Sequence, residues 1–106
     1  KLLYWKENEL RVLFLKDESY QPYRKSETRI TIPATDEKIK KAVFYGGNNE
    51  HIIVLTQKGI FISDLDERGG FFVKKIIEGY VQDFIYSAKN QKLYWSDGRM
   101  VYEINI

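Results

Sequence analysis

"KLYWSDGRMVYEINI", residues 92–106, decides how the rest of the chain is read. It opens with a short run of β-formers, turns at "SDG" (residues 96–98), and then alternates. Met100, Tyr102, Ile104 and Ile106 fall on one face of the restarted segment. A period of two marks a strand with one buried side. Asp97-Gly98 is a strong hairpin signal, because both central positions of a type I′ turn need positive φ. The stretch therefore reads as an antiparallel hairpin.

The same writing occurs near the other end of the chain. "LYWKENELRV" (residues 3–12) again places Leu-Tyr-Trp before a polar turn and an apolar restart. Between the two ends, periodicity points to strands almost throughout. "HIIVLT" (residues 51–56) is a continuous apolar run, and "GIFISDLD" (residues 59–66) alternates. Turn residues punctuate these runs at 45–50, 57–59 and 67–70. "TDEKIKKAVFY" (residues 35–45) opens like a capped helix at Thr35 or Asp36, but Ala42 to Tyr45 reads better as a strand.

Segment 39–66 aligns with segment 80–105, setting Phe44-Tyr45 on Ile85-Tyr86 and residues 53–56 on residues 93–96. The spacing of about 40 residues, with four strands per unit, is the signature of a β-propeller. The expected fold is all-β, with antiparallel four-stranded blades and about two and a half of them present. The expected organisation is one partial propeller domain. A blade fragment covers 1–15, a long connection 16–27, one blade 28–66 and another 70–106, with strands at 28–32 and 70–77 leading the two full units. Open sheets of this kind expose their edges. Further blades are expected either from a longer parent chain, favoured because Lys1 already stands in an apparent strand, or from several copies closing a ring.

At these residues the chain resembles the YWTD propeller repeat of the low-density lipoprotein receptor relatives. Tyr94-Trp95-Ser96-Asp97 stand where Tyr-Trp-Thr-Asp would. Residues 2–10 keep the Tyr4-Trp5 pair but carry Lys6-Glu7 in place of Thr-Asp, and residues 53–59 keep only Thr56. The resemblance implies a scaffold that presents loops to protein ligands, without catalysis, from six blades. It implies that Tyr4, Trp5, Tyr94 and Trp95 are structural repeat positions. It also implies that Asp97 ties neighbouring blades, and it favours an extracellular or lumenal setting.

Composition bounds the alternatives. Seventeen basic and fifteen acidic residues leave a charge of +2, too balanced to argue for nucleic acid. The local basic runs at 38–41 and 73–75 lack a set of stacking aromatics in register. There is no cysteine, hence no disulfide, thiol nucleophile or cysteine-ligated zinc. No apolar run approaches the roughly 18–20 residues of a membrane helix.

Each chemistry-bearing group has a structural reading beside its functional one. Tyr4, Trp5, Tyr94 and Trp95 could line a carbohydrate or peptide groove, but their recurrence favours packing between blades. Asp64, Asp66 and Glu67 lie close together, yet the 12-residue calcium loop with its closing Glu is absent. His51, the one histidine, starts a strand after a turn and has no partner at a telling spacing. "YQPYRKSETR" (residues 20–29) is the longest polar stretch and falls where one repeat is longer. Tyr20, Tyr23, Arg24 and Arg29 are of the types enriched in interface anchors, and are the expected partner contacts. The expected function is a non-catalytic binding or scaffold module, with no metal or cofactor. It would be part of a larger receptor or membrane-complex subunit that binds a protein partner or further blades of its own. The rivals are a lectin-like ring of several chains, and a non-catalytic part of a propeller hydrolase or lyase.

Overall fold

A computed structural model describes residues 1–19, 23–33, 37–65 and 73–106. Among these the chain is all-β. Ten strands run in order: β1 (Leu2–Lys6), β2 (Glu9–Leu13), β3 (Arg29–Pro33), β4 (Lys41–Tyr45), β5 (His51–Thr56), β6 (Gly59–Asp64), β7 (Val73–Glu78), β8 (Asp83–Ser87), β9 (Lys92–Ser96) and β10 (Val101–Asn105). They form three antiparallel sheets, β1-β2-β3, β4-β5-β6-β7 and β8-β9-β10, each a meander of consecutive strands. No α-helix occurs among the described residues. A single 3-10 turn, Gly47–Asn49, joins β4 to β5. Thr35 and Asp36 lie outside the described residues, and Lys41 already begins β4, as the strand reading of that segment expected.

The middle sheet is covered on both sides. On one face Ala42, Ile52 and Val54 pack with Leu10, Val12 and Ile32 of the first sheet. On the other, Ile53, Leu55 and Ile60 pack with Phe84 and Leu93 of the third sheet. This explains the unbroken apolar run of β5. Side chains alternate across a strand, so burial on both faces requires apolar residues at every position rather than every second one. Residues Ile52 to Thr56 are all buried.

Strand grouping differs from the sequence expectation. The strands expected to lead units 28–66 and 70–106 instead close the sheets before them. Leu10 is registered opposite Ile32 in the β2–β3 pair, and Ile60 opposite Ile77 in β6–β7. A strand between two units can hydrogen-bond to either, and its alternation alone does not choose. The chain between β2 and β3 accordingly links two neighbouring strands of the first sheet and does not pass from one sheet to another.

The turns set the register. Glu7-Asn8 and Gln57-Lys58 are two-residue connections, closing on the pairs Lys6 with Glu9 and Thr56 with Gly59. The expected type I′ turn at Asp97-Gly98 is not formed. The last paired residues are Ser96 and Val101, only Gly98 has positive φ (+92°), and the strand starts at Val101 rather than Arg99. Asp97 Oδ1 accepts the N–H groups of both Arg99 and Met100 at 2.9 Å. That bond pattern belongs to an aspartate opening a turn, not occupying its centre.

This also corrects the residue-by-residue alignment. Sheets stacked by one repeated step have equivalent residues facing the same way along the stack. Ile53 and Leu93, aligned in the sequence, instead face each other across one interface. Leu93 and Trp95 match Ile52 and Val54 in facing, a slip of one residue. Because strands have a period of two, that slip exchanges the faces.

Candidate functional site

The loop expected to contact a partner is built on the end of the β2–β3 hairpin. The ladder continues past β2, with Phe14 N–H donating to Thr28 O at 2.9 Å and Glu27 N–H to Phe14 O at 2.8 Å. Beyond this the loop bonds to itself. Asp17 Oδ1 accepts Ser26 N–H at 2.7 Å, Ser26 Oγ donates to Leu15 O at 3.3 Å, and Glu18 N–H donates to Arg24 O at 2.7 Å.

The four predicted anchors have different fates. Tyr20 lies outside the described residues. Arg24 is only 7% exposed: its Nη2 donates to Leu65 O at 3.0 Å and its guanidinium lies 5.3 Å from the Phe14 ring centre. It fastens the loop to the middle sheet and is not offered to a partner. Tyr23, by contrast, is 64% exposed. Arg29 is exposed at the start of β3, opposite Leu13, on the outer face of the first sheet. Beside the loop, Lys1 Nζ donates to Glu50 Oε1 at 3.1 Å and to Asn49 O at 3.2 Å, and approaches Glu18 Oε2 at 3.7 Å. The loop thus stands on a base of buried charge-assisted contacts, with Tyr23 outside.

The aromatic repeat positions divide by face. Trp95 stacks on its cross-strand partner Tyr102, ring centres 4.3 Å apart and planes at 21°, and packs against the core between the middle and third sheets. Tyr94 points to the opposite, outer face. Leu3 packs from the first sheet towards the middle one, and Trp5 shares its face by alternation. Tyr4 lies on the outer face of the first sheet. No single groove collects the four. Asp97, expected to tie neighbouring blades, accepts bonds from its own hairpin: the Met100 and Arg99 N–H groups, and Tyr102 OH at 3.2 Å. Those backbone donors hold its carboxyl below the usual carboxylate range, while burial and the bond to Asp97 push the Tyr102 phenol up.

Sequence reasoning missed one cluster. His51 Nδ1 contacts Asp64 Oδ1, the residue opposite it in the β5–β6 ladder. The Tyr45 ring lies 5.2 Å from the His51 ring and 5.5 Å from that of Tyr86. Burial, then Asp64, pushes the Tyr45 phenol up. The turn residues at 57–59 were the partial signal; the structure's two-residue turn at Gln57-Lys58 sets 51 opposite 64. This pair can orient an imidazole and hold a proton. Ser63 alternates to the other face of β6, so it does not complete a triad. Among the described residues no three His, Cys, Asp or Glu side chains gather to hold a metal ion. Asp66 and Glu67, considered with Asp64 for calcium, lie outside the described residues.

A shallow apolar cleft of about 160 Å³ lies on the outer face of the third sheet, where Ile85, Tyr94 and Val101 line it beside Asp83. Ile85 is 67% and Val101 73% exposed. Lys41 of the middle sheet reaches Asp83 at 2.9 Å and holds its carboxyl below the usual range. Comparison with known protein families, with curated proteins and with solved structures finds no match for this chain.

Proposed function

We propose that the chain is a stretch of a β-propeller that acts as a non-catalytic binding and scaffold module, a relative of the YWTD repeats. In this reading the three sheets are consecutive blades of a larger receptor or membrane-complex subunit, and the loop 15–28 is presented to a protein partner. One observation carries it. The middle sheet is clad on both faces by its sequence neighbours, whereas the outer faces of the first and third sheets leave Leu2, Ile85 and Val101 exposed. A further sheet on each side would bury them as their counterparts are buried in the middle.

The mechanism is rigid presentation. The stacked sheets fix the hairpin base at Phe14, Arg24 anchors the loop to Leu65 O, and Tyr23 is held outward. A tyrosine supplies contact area at low entropic cost.

The test places a photo-crosslinking residue at position 23 and, as a control, at position 80, an equally exposed tyrosine at the opposite end of the strands. The reading expects discrete protein adducts at 23 and none at 80. Equal labelling at both positions, or adducts at 80 alone, contradicts it.

A further inference from the structure

Asp97-Gly98 is the one Asp-Gly pair in the chain, and no Asn-Gly pair occurs. An aspartate followed by glycine is open to spontaneous rearrangement, because glycine has no side chain to shield its backbone nitrogen. The Gly98 nitrogen attacks the Asp97 side-chain carbon Cγ and gives up its proton. The new N–C bond closes a succinimide ring, and one Cγ oxygen leaves as water. Solvent water then adds to either ring carbonyl. Opening at Cγ restores aspartate. Opening at the main-chain carbonyl leaves isoaspartate, whose main chain runs through Cγ and is one carbon longer. Water is the only other reactant, and no net oxidation or reduction occurs.

The β9–β10 turn holds the atoms that this rearrangement needs. Gly98 N–H, the attacking group, donates to Ser96 Oγ at 3.0 Å. Asp97 Oδ1 accepts the N–H groups of Arg99 and Met100 at 2.9 Å each, so the carboxyl is drawn past Gly98 to the two residues beyond it. Oδ2 accepts Tyr102 OH at 3.2 Å, and the Tyr102 ring is itself stacked on Trp95. Ring closure must swing the carboxyl back onto the Gly98 nitrogen and free that nitrogen from Ser96. Neither movement is compatible with these bonds. Water also leaves readily only from the neutral acid, whereas the Met100 and Arg99 donors favour the carboxylate. Gly98 is exposed, so the protection comes from hydrogen bonding and not from exclusion of water.

We infer that Asp97-Gly98 is a latent self-modification site, held unreactive by the β9–β10 turn and released to form isoaspartate when that turn opens. Local opening, not elapsed time alone, sets the rate. The product does not fit the turn it came from. In isoaspartate the free carboxylate is the former main-chain carbonyl carbon, and the Cγ that offered its oxygens to Arg99, Met100 and Tyr102 has become part of the backbone. The loss falls on the third sheet, where the β9–β10 ladder begins at Ser96 and Val101 on either side of this turn.

Isoaspartate accumulation in the full chain tests this, read by peptide mass spectrometry with fragmentation that separates the two isomers. The chain is incubated at neutral pH, folded and in guanidinium chloride, beside a synthetic peptide of residues 92–106. The folded chain is expected to rearrange at least about tenfold more slowly than either unfolded sample, because several hydrogen bonds of the turn must break first. Ser96→Ala and Tyr102→Phe each remove one of those bonds. Each is expected to speed the folded chain by about threefold or more and to leave the rate in denaturant unchanged. Far-UV circular dichroism checks that both variants keep their strands. A folded wild type that rearranges as fast as the peptide overturns the inference, whatever the variants do. So does a folded rate that neither substitution changes, because these bonds would then not be what protects the pair.

Discussion

Asp97 shows how much one side chain can decide. Its carboxylate takes two backbone donors and a phenol, all from the hairpin it opens. Its folded pKa is depressed. The stability it contributes is therefore present above the unfolded carboxyl value and lost as pH falls through the folded one. The thermal midpoint of the wild type is expected to fall between about pH 5 and pH 2. Asp97→Ala should lower the midpoint at neutral pH and flatten that fall, as read by circular dichroism melts at each pH. Asp83, depressed by Lys41, contributes in the same direction, so the fall is reduced rather than abolished. Gly59 is a second deciding residue. It has φ +135°, and a Cβ there would stand 1.9 Å from Ile77 O, where β7 closes on β6. Gly59→Ala is expected to cost on the order of 2–4 kcal/mol in urea unfolding, from backbone strain together with overpacking. Legibility at this scale was uneven. The turn-forming role of Asp97 was visible in the sequence, but its position in the turn was not. Tyr23 and Arg24 looked alike as anchors. Their separation into an exposed and a buried residue depends on Phe14 and Leu65, which are distant in sequence and adjacent only in the fold.

At the scale of elements, β5 is the strand to perturb. Ile53 is fully buried between the middle and third sheets, while Ile85 on β8 is largely exposed. Ile53→Ala is expected to destabilise by about 2–5 kcal/mol. Ile85→Ala should change monomer stability by about 0.5 kcal/mol or less. Chemical denaturation of both variants checks the pair. Most strands were legible because alternation and turn residues are local properties. The continuous run "HIIVLT" was legible as a strand, and its burial on both faces became clear only with the sheets packed on either side. The grouping of strands was not legible. Residues 28–32 and 73–78 have the composition of strands that could pair forwards or backwards, and only the three-dimensional path makes them close the preceding sheets. The facing of β9 relative to β1 was hidden too. Both read Leu-Tyr-Trp, but the β9–β10 connection differs from the two-residue turns of β1–β2 and β5–β6, and one residue of slip exchanges inside for outside.

For the whole molecule, the middle sheet is the mechanical centre and the outer sheets are its cladding. Amide exchange should follow that order. The protected amides of β5 and β6 are expected to exchange last, through global unfolding, and those of β1 and β10, on sheet edges, first. The candidate site follows the same logic. The Tyr23 loop rests on the clad side through Arg24, whereas the His51–Asp64–Tyr45 cluster sits at the mouth between the middle and third sheets. Length, balanced charge and absence of cysteine bounded the class from the sequence. The pairing of His51 with Asp64 follows from a two-residue turn at Gln57-Lys58, where turn residues at 57–59 mark the connection in the sequence without fixing its register.

The most direct test of the stack is a methyl-to-methyl nuclear Overhauser map of the labelled chain. Ile52 and Val54 should show contacts to Leu10 and Val12, and Ile53 and Leu55 to Leu93, with no crossing between the two sets. Contacts from both sets to a single sheet, or contacts from Ile32 to the edge of β4 in place of its pairing with Leu10, would contradict a middle sheet clad on both faces.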